Sequence, residues 1–71
     1  MLSMEFKLTT EFIELDNLLK VLGLVAHGAE AKEIIRAGSV RVNTEVETRV
    51  RRKLRAGDCV EFNGKRIAIL A

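Results

Sequence analysis

The stretch of sequence that decides the fold runs from residue 29 to residue 43 and reads AEAKEIIRAGSVRVN. Its first half has helical spacing, because Ala31, Ile34 and Ile35 fall on one face of a helix. Gly38 then supplies a residue that tolerates the left-handed conformation with which many helices end. Beyond Gly38 the apolar residues recur at every second position, which is typical of a strand. The stretch therefore predicts a helix that ends at Gly38 and leads directly into a strand.

The residues before this stretch predict a strand and a first helix. Apolar and charged residues alternate from Ser3 to Leu8, which is the pattern of a half-buried strand. Gly23 is a natural end for the helix that follows. We expect the second helix to cover residues 28–37 and to form, with the first, a helix–turn–helix arrangement through a short connection at residues 24–28. The apolar stripe of the first helix recurs at i, i+3, i+4 and i+7 and consists of Leu15, Leu18, Leu19 and Leu22.

The residues after the stretch predict a small antiparallel sheet. Asn63-Gly64 separates two alternating runs, residues 58–62 and 65–70, and this dipeptide is a strong signal for a tight hairpin turn. The sequence therefore predicts one α+β domain over residues 1–71, in which an N-terminal strand and two short helices precede a small antiparallel sheet with a C-terminal hairpin. Between the helices and this hairpin, uncharged residues again recur at every second position, namely Val46, Thr48 and Val50.

Size and composition restrict the class of protein. The 71 residues suffice for one small domain, and 48% of them are hydrophobic, which excludes a disordered chain. The longest apolar run, Val21 to Ala26, is too short to span a membrane, and no secretory signal is evident at the N-terminus. A single cysteine excludes an internal disulfide. We expect a cytoplasmic protein, and a monomer, because no unexplained apolar stripe demands a partner.

Catalytic and metal-binding patterns are missing from the sequence. His27 and Cys59 are the single histidine and the single cysteine, and no third group that could orient them as a nucleophile pair is evident. No glycine-rich phosphate loop or metal-ligand spacing occurs. The carboxylates are expected at scattered, exposed positions. We therefore expect no enzyme, no cofactor and no metal.

Charge is divided unequally along the chain. Residues 1–30 carry five acidic and two basic residues, whereas residues 31–71 carry five acidic and ten basic ones, so the two parts sum to −3 and +5. This distribution is typical of a domain that presents one face to a polyanion. The densest basic run, residues 49–55, places five bases in seven positions, and phosphate would relieve their mutual repulsion. The alternative is a solvated loop, but Lys32 and Arg36, four apart on the second helix, favour a binding surface.

The phenylalanines, the histidine and the cysteine each have an expected location. The phenylalanines Phe6, Phe12 and Phe62 are all expected in the core, so that no exposed ring would stack on a base, which favours folded RNA over single strands. His27 is expected to be a partly exposed capping residue, with a phosphate or base contact as the alternative. Cys59 is expected to be a small buried hydrophobe rather than a reactive thiol.

The order and spacing of these elements resemble the RNA-binding domain first described in ribosomal protein S4, which is also called the alpha-L motif. The resemblance covers about residues 13–62, and the short chain is similar to small free-standing bacterial members of the YbcJ/YaaA type. This sequence departs from the family at Glu14, where a base is common, at Gly28, where arginine is common, and at Thr44, where glycine is common. The segments that carry the resemblance are residues 14–20, Gly23-Leu24, residues 29–43 and the turn at residues 53–58.

The resemblance implies a non-catalytic domain that binds structured RNA, with ribosomal RNA or tRNA as the target and the ribosome as a candidate partner. The first alternative is a protein-interaction module within a ribosome-associated assembly, in which the basic face meets an acidic protein. A further alternative is a subunit of an enzyme whose partner chain supplies the active site. The candidate RNA-binding residues are Lys20, His27, Lys32, Arg36, Arg41, Arg49, Arg51, Arg52, Lys53 and Arg55.

Overall fold

The computed structural model describes residues 2–71, which form a sheet, a short two-stranded ladder and two helices. Neither helix in this range is long and apolar enough to cross a membrane. The α+β class predicted from the sequence is confirmed. In chain order the elements are β1 (Leu2–Lys7), β2 (Ile13–Glu14), α1 (Leu15–Val21), α2 (Gly28–Arg36), β3 (Val40–Val42), β4 (Glu45–Val46), β5 (Lys53–Leu54), β6 (Cys59–Phe62) and β7 (Lys65–Leu70).

The main sheet has the strand order β1-β7-β6-β3-β4. The hairpin β6–β7 is confirmed, and both Asn63 and Gly64 at its turn have positive φ, 51° and 75°. Strand β1 pairs in parallel with β7, so the N-terminal strand forms one edge of an otherwise antiparallel sheet. The sequence predicted the strand but not its parallel partner, because alternation within a strand says nothing about which strand lies beside it. Strands β2 and β5 form a separate antiparallel ladder.

The core lies between one face of the main sheet and the two helices. Alternation places Val40, Val42, Val60, Ile67 and Ile69 on this face, and each is at most 2% exposed. From the other side, the predicted stripes of the helices reach the same core. Full burial of each such side chain contributes about 1.5–3 kcal/mol. The buried helical residues are Leu15, Leu18, Leu19, Ala31 and Ile35.

Both helices end at the glycines that the sequence predicted. Gly23 and Gly38 have φ of +71° and +80°, a conformation that an L side chain rarely adopts. In α2 the N–H of Ser39 donates to the carbonyl of Ile34 at 3.2 Å, and α1 ends with the equivalent bond. These caps turn the chain sharply, so that α2 leads directly into β3. The predicted helical boundary at residue 37 differs by one residue, since Ala37 is the C-cap.

The period of two at Val46, Thr48 and Val50 corresponds to only a short strand, because β4 ends at Val46. Of residues 45–50, Glu45 and Val46 form the strand that pairs with β3. The exposure is opposite to the one expected, since Val46 is 54% exposed, whereas Glu47 is 6% exposed. The register explains this phase: Val46 lies opposite the exposed Arg41, and the N–H of Glu47 donates to the carbonyl of the buried Val40 at 2.9 Å. The carboxylate of Glu47 is held by arginines. The expectation that the carboxylates are all exposed is therefore wrong for Glu47.

Two predictions about single side chains also need correction. Phe6 and Phe62 pack against the core as predicted, but Phe12 is half-buried outside it and lies beneath two basic side chains. Cys59 is half-buried rather than buried, because it projects from the face of β6 opposite to Val60.

Candidate nucleic-acid interface

One line of positive charge follows the exposed side of α2. Lys32 and Arg36 are both exposed and lie one turn apart on the same side of the helix. Gly28 begins this row one turn earlier, and a Cβ built on it would lie 3.9 Å from Nζ of Lys20. The ammonium group of Lys20 therefore stands beside the start of the row, where Gly28 leaves space. We name Lys20, Lys32 and Arg36 the α2 ridge, whose two residues on α2 are about 6 Å apart along the helix axis.

A second basic feature is a groove of about 480 Å³ that is lined by Arg49, Arg51, Arg52 and Lys53. We name it the basic groove. It belongs to the segment that joins β4 to β6, a segment with little regular structure of its own. The position of these side chains therefore depends on the contacts that the segment makes with the rest of the protein.

The carboxylate of Glu47 holds one side of the basic groove. Its Oε2 accepts from Nε of Arg49 at 2.9 Å, and its Oε1 accepts from Nη2 of Arg49 and from Nη1 of Arg52, both at 3.0 Å. The hydrogen bonds from Arg49, together with the one from Arg52, outweigh burial and lower the pKa of Glu47 to about 2. Glu47 is therefore ionised at neutral pH and fixes two guanidinium groups in place.

The other side of the basic groove is attached to the start of α1. Nε of Arg51 donates to Oε2 of Glu14 at 3.2 Å. The first amides of the helix, those of Leu15 and Asp16, donate to the carbonyls of Arg52 at 2.9 Å and Val50 at 3.1 Å. Amides at a helix start have no partner within the helix, so the loop backbone satisfies them. Main-chain bonds thus seat the arginine-rich segment on α1.

At its C-terminal end, the basic segment packs against the ring of Phe12. Nζ of Lys53 lies 4.9 Å from the ring centroid, and the guanidinium carbon of Arg55 lies 5.6 Å from it. These distances are typical of cation–π contacts. Phe12 is thus a platform for two of the five bases in the run, and this explains why it lies outside the core.

A turn clamped by Asp58 ends the basic segment. Oδ2 of Asp58 accepts from the backbone N–H of Arg55 at 2.8 Å, and Oδ1 accepts from the amide of Asn43 at 2.9 Å. Burial would raise the pKa of Asp58, but these two hydrogen bonds outweigh it, and the pKa is lowered. Because Asn43 belongs to the turn after β3, this contact ties the segment to the main sheet.

The α2 ridge and the segment that carries the basic groove meet near Gly38. A Cβ built on Gly38 would lie 3.5 Å from Cγ1 of Val46, so the glycine after the C-cap of α2 lies against the last residue of β4. The end of the ridge is thus next to the start of the segment. Among residues 2–71 no cluster of histidine, cysteine, aspartate or glutamate could hold a metal ion.

Two predicted site residues stand apart from these features. Arg41 lies between the buried Val40 and Val42, so its side chain is on the sheet face opposite to the helices. His27 is the N-cap of α2, exposed and without a side-chain capping bond. The capping position predicted for His27 is confirmed. Whether either residue contacts RNA stays a prediction.

Sequence reasoning missed the residues that organise the site, which are Glu14, Glu47 and Phe12. The acidic residue at position 14 looked like a loss of positive charge, but it is the partner of Arg51. The sequence shows Glu47 only as an acidic residue next to a basic stretch. An acidic residue this close to arginines can form ion pairs with them or remain a solvated charge, and the sequence does not distinguish the two.

Comparison with known proteins agrees with this architecture. The model of the S4 domain family matches residues 6–70. YbcJ of Escherichia coli (strain K12) and YbcJ of Shigella flexneri are each 44% identical to the chain over 59 residues, which is 83% of this chain and 84% of theirs. The solution structure of E. coli YbcJ, described as revealing an alpha-L motif involved in RNA binding, superposes with a TM-score of 0.69 and 38% identity. That superposition covers 100% of this chain and 89% of the other. The chain belongs to the S4 domain family.

Proposed function

We propose that the chain binds structured RNA through the basic groove and the α2 ridge, without a catalytic step. The observation that carries the proposal is the basic groove itself, which is lined by four basic side chains. A groove of this kind can follow a phosphate backbone, because each lysine or arginine that meets a phosphate releases condensed counterions. The family match and the RNA-binding motif ascribed to E. coli YbcJ support the same ligand class.

The carboxylates do not cancel the attraction for a polyanion. Five bases between residues 49 and 55 face three carboxylates, Glu14, Glu47 and Asp58, so the cluster keeps a net charge of +2. Arg51 uses only Nε for its ion pair and Arg52 only Nη1. Both guanidinium groups therefore keep donors for phosphate oxygens. An arginine held in this way loses less side-chain entropy when it binds.

Rigid presentation favours folded RNA over a flexible strand. The basic groove is seated on α1 by main-chain hydrogen bonds, and the α2 ridge is part of a helix, so the two features have a set spacing. Such a surface can match the shape of a folded backbone. Ribosomal RNA and tRNA are the classes that we propose, because the resemblance to S4 domains implies them. Arg41 would join the contact where RNA passes around the edge strand β4.

A binding assay with a matched control tests the proposal. The double variant Arg51→Ala/Lys53→Ala removes two charges from the basic groove, and Lys65→Ala/Arg66→Ala removes two from the start of β7. We expect the affinity for a labelled RNA hairpin, at about 0.1 M salt, to fall roughly tenfold or more for the first variant and far less for the second. Equal losses in the two variants would show that only total charge matters and would contradict the proposal.

Two further experiments separate the target classes. Cross-linking in cells, followed by sequencing of the bound RNA, should recover ribosomal RNA or tRNA. A pull-down repeated with ribonuclease distinguishes RNA binding from a protein-interaction module. We expect ribosomal proteins captured with the chain to be lost after digestion, and partners that survive digestion would favour direct protein recognition.

A further inference from the structure

A second groove is lined in part by Phe12. It has a volume of about 460 Å³, within the range of roughly 300–1,000 Å³ that is usual for small-molecule sites. We name it the Phe12 groove. It lies between the end of β1, the connection to β2 and the first turn of α1. Its lining residues are Phe6, Leu8, Thr9, Thr10, Phe12, Ile13, Glu14 and Asn17.

The Phe12 groove and the basic groove are joined by two direct contacts. Lys53, which lines the basic groove, lies over the ring of Phe12, which lines the other. Arg51 of the basic groove donates to Glu14 of the Phe12 groove at 3.2 Å. A nucleotide whose phosphate meets Arg51 or Lys53 would therefore have its base within reach of the Phe12 groove.

The lining of the Phe12 groove suits a nucleobase. Phe12 supplies an aromatic surface on which a base can stack. The side chains of Thr9 and Asn17 offer both donors and acceptors, and the carboxylate of Glu14 can accept from an exocyclic amine. A paired base cannot enter such a groove, because its edges are engaged in its own helix.

We propose that the Phe12 groove binds one unpaired nucleotide of the RNA, with its base in the groove and its phosphate at Arg51 and Lys53. This inference rests on the proposed RNA-binding function and deepens it. It predicts that the protein prefers RNA with a bulged or flipped-out nucleotide to a fully paired helix.

Two RNA hairpins of equal length and charge test the inference, one fully paired in its stem and one with a single bulged nucleotide. For the wild-type protein we expect roughly tenfold tighter binding of the bulged hairpin, as is typical when one base gains a stacking partner. Asn17→Ala and Thr9→Ala, both at exposed positions that line the Phe12 groove, should each reduce this preference. Their affinity for the paired hairpin should stay unchanged. Val21→Ala, at an exposed position of the same helix, is the control and should retain the preference.

The outcomes separate the two proposals. Binding of both hairpins with equal affinity, or a preference that Asn17→Ala and Thr9→Ala leave intact, overturns the nucleotide site while the RNA-binding function stands. Failure of the wild-type protein to bind either hairpin overturns the RNA-binding function and the nucleotide site together. Loss of the preference in both groove variants, with unchanged binding of the paired hairpin, supports both.

Discussion

Oε1 of Glu47 accepts a hydrogen bond from Nη1 of Arg52 at 3.0 Å, and the Glu47 side chain is only 8% exposed. A nearly buried carboxylate thus lies inside the most basic segment of the chain. Without it, the five bases of residues 49–55 would repel one another on an irregular loop. The ion pairs of Glu47 with Arg49 and Arg52 offset part of this repulsion and hold the two guanidinium groups in place. The arginines of the basic groove are therefore set by the protein before any ligand arrives.

Replacement of Glu47 by glutamine should destabilise the fold. The amide has nearly the same shape as the carboxylate but removes the charge that binds Arg49 and Arg52. We expect the free energy of unfolding to fall by about 1–3 kcal/mol, since a nearly buried charge-assisted contact is lost. Urea unfolding measures this change. Glu45→Gln, at an exposed position two residues away, should change stability by less than about 0.5 kcal/mol, and equal effects at both positions would contradict the assigned role.

The contribution of Glu47 should depend on pH in a defined direction. Its pKa is lowered from 4.5 to about 2 in the folded protein, chiefly by the hydrogen bond from Arg49, so the unfolded chain binds a proton more readily. The stabilisation is therefore fully present above about pH 5 and is lost as the pH falls toward 2. It amounts to at most about 3 kcal/mol.

Unfolding of the wild type and of Glu47→Gln at a series of pH values checks this dependence. The difference between their unfolding free energies should be constant near neutral pH and shrink toward zero at about pH 2. Asp58 also has a lowered pKa, but it is present in both proteins and cancels in the difference. A difference that stays constant down to pH 2 would show that the ion pairs of Glu47 do not stabilise the fold.

The turn after β3 should become more stable when Thr44 is replaced by glycine. Thr44 has a φ of +73°, a conformation that is costly for a β-branched residue and free of strain for glycine. We expect Thr44→Gly to stabilise the protein by about 0.5–1 kcal/mol, which raises the Tm by roughly 2–8 °C in a domain of this size. Thr48→Gly, an exposed threonine outside the turn, should lower the Tm or leave it unchanged. A lower Tm for Thr44→Gly would argue against strain at this position.

The salt dependence of RNA binding should report individual phosphate contacts. If Arg36 and Arg51 each meet a phosphate, alanine at either position should reduce the magnitude of the log–log salt slope by about 0.9, and the double variant by about twice as much. Arg66 pairs in register with Ser3 and Glu61 on the sheet, and Arg66→Ala should leave the slope unchanged. Titrations at four or five salt concentrations suffice. Slopes that change equally for all three arginines would show that no particular face is used.

Much of the fold could be predicted from the sequence because local patterns determine it. The stripes of α1 and α2, the glycines at their ends and the Asn63-Gly64 turn each act within a few residues, and all are confirmed. The parallel pairing of β1 with β7 could not be predicted, since it joins residues from opposite ends of the chain. Alternation identifies the buried face of a strand but does not identify its neighbour.

The candidate site was predictable in its charges but not in its organisation. The basic residues of α2 and of residues 49–55 stand out in composition, and the structure places most of them at the α2 ridge or the basic groove. Glu14 and Phe12 meet this segment only through tertiary contacts, Arg51 with Glu14 across 37 positions of the chain. Glu47 is closer in sequence, but its burial reverses the alternation that predicted an exposed side chain. Such reversals depend on which partner a charge finds, and a pattern of residue types does not contain that information.

The most direct test of the central claim is an NMR titration of the ¹⁵N-labelled protein with a structured RNA hairpin, followed through the backbone amides. We predict that the largest chemical-shift changes fall on residues 49–53 and on the exposed side of α2, with little change at Lys65 and Arg66. This pattern would establish the basic groove and the α2 ridge as the RNA-binding surface. Changes concentrated on the outer face of β6 and β7, with residues 49–53 unaffected, would contradict it.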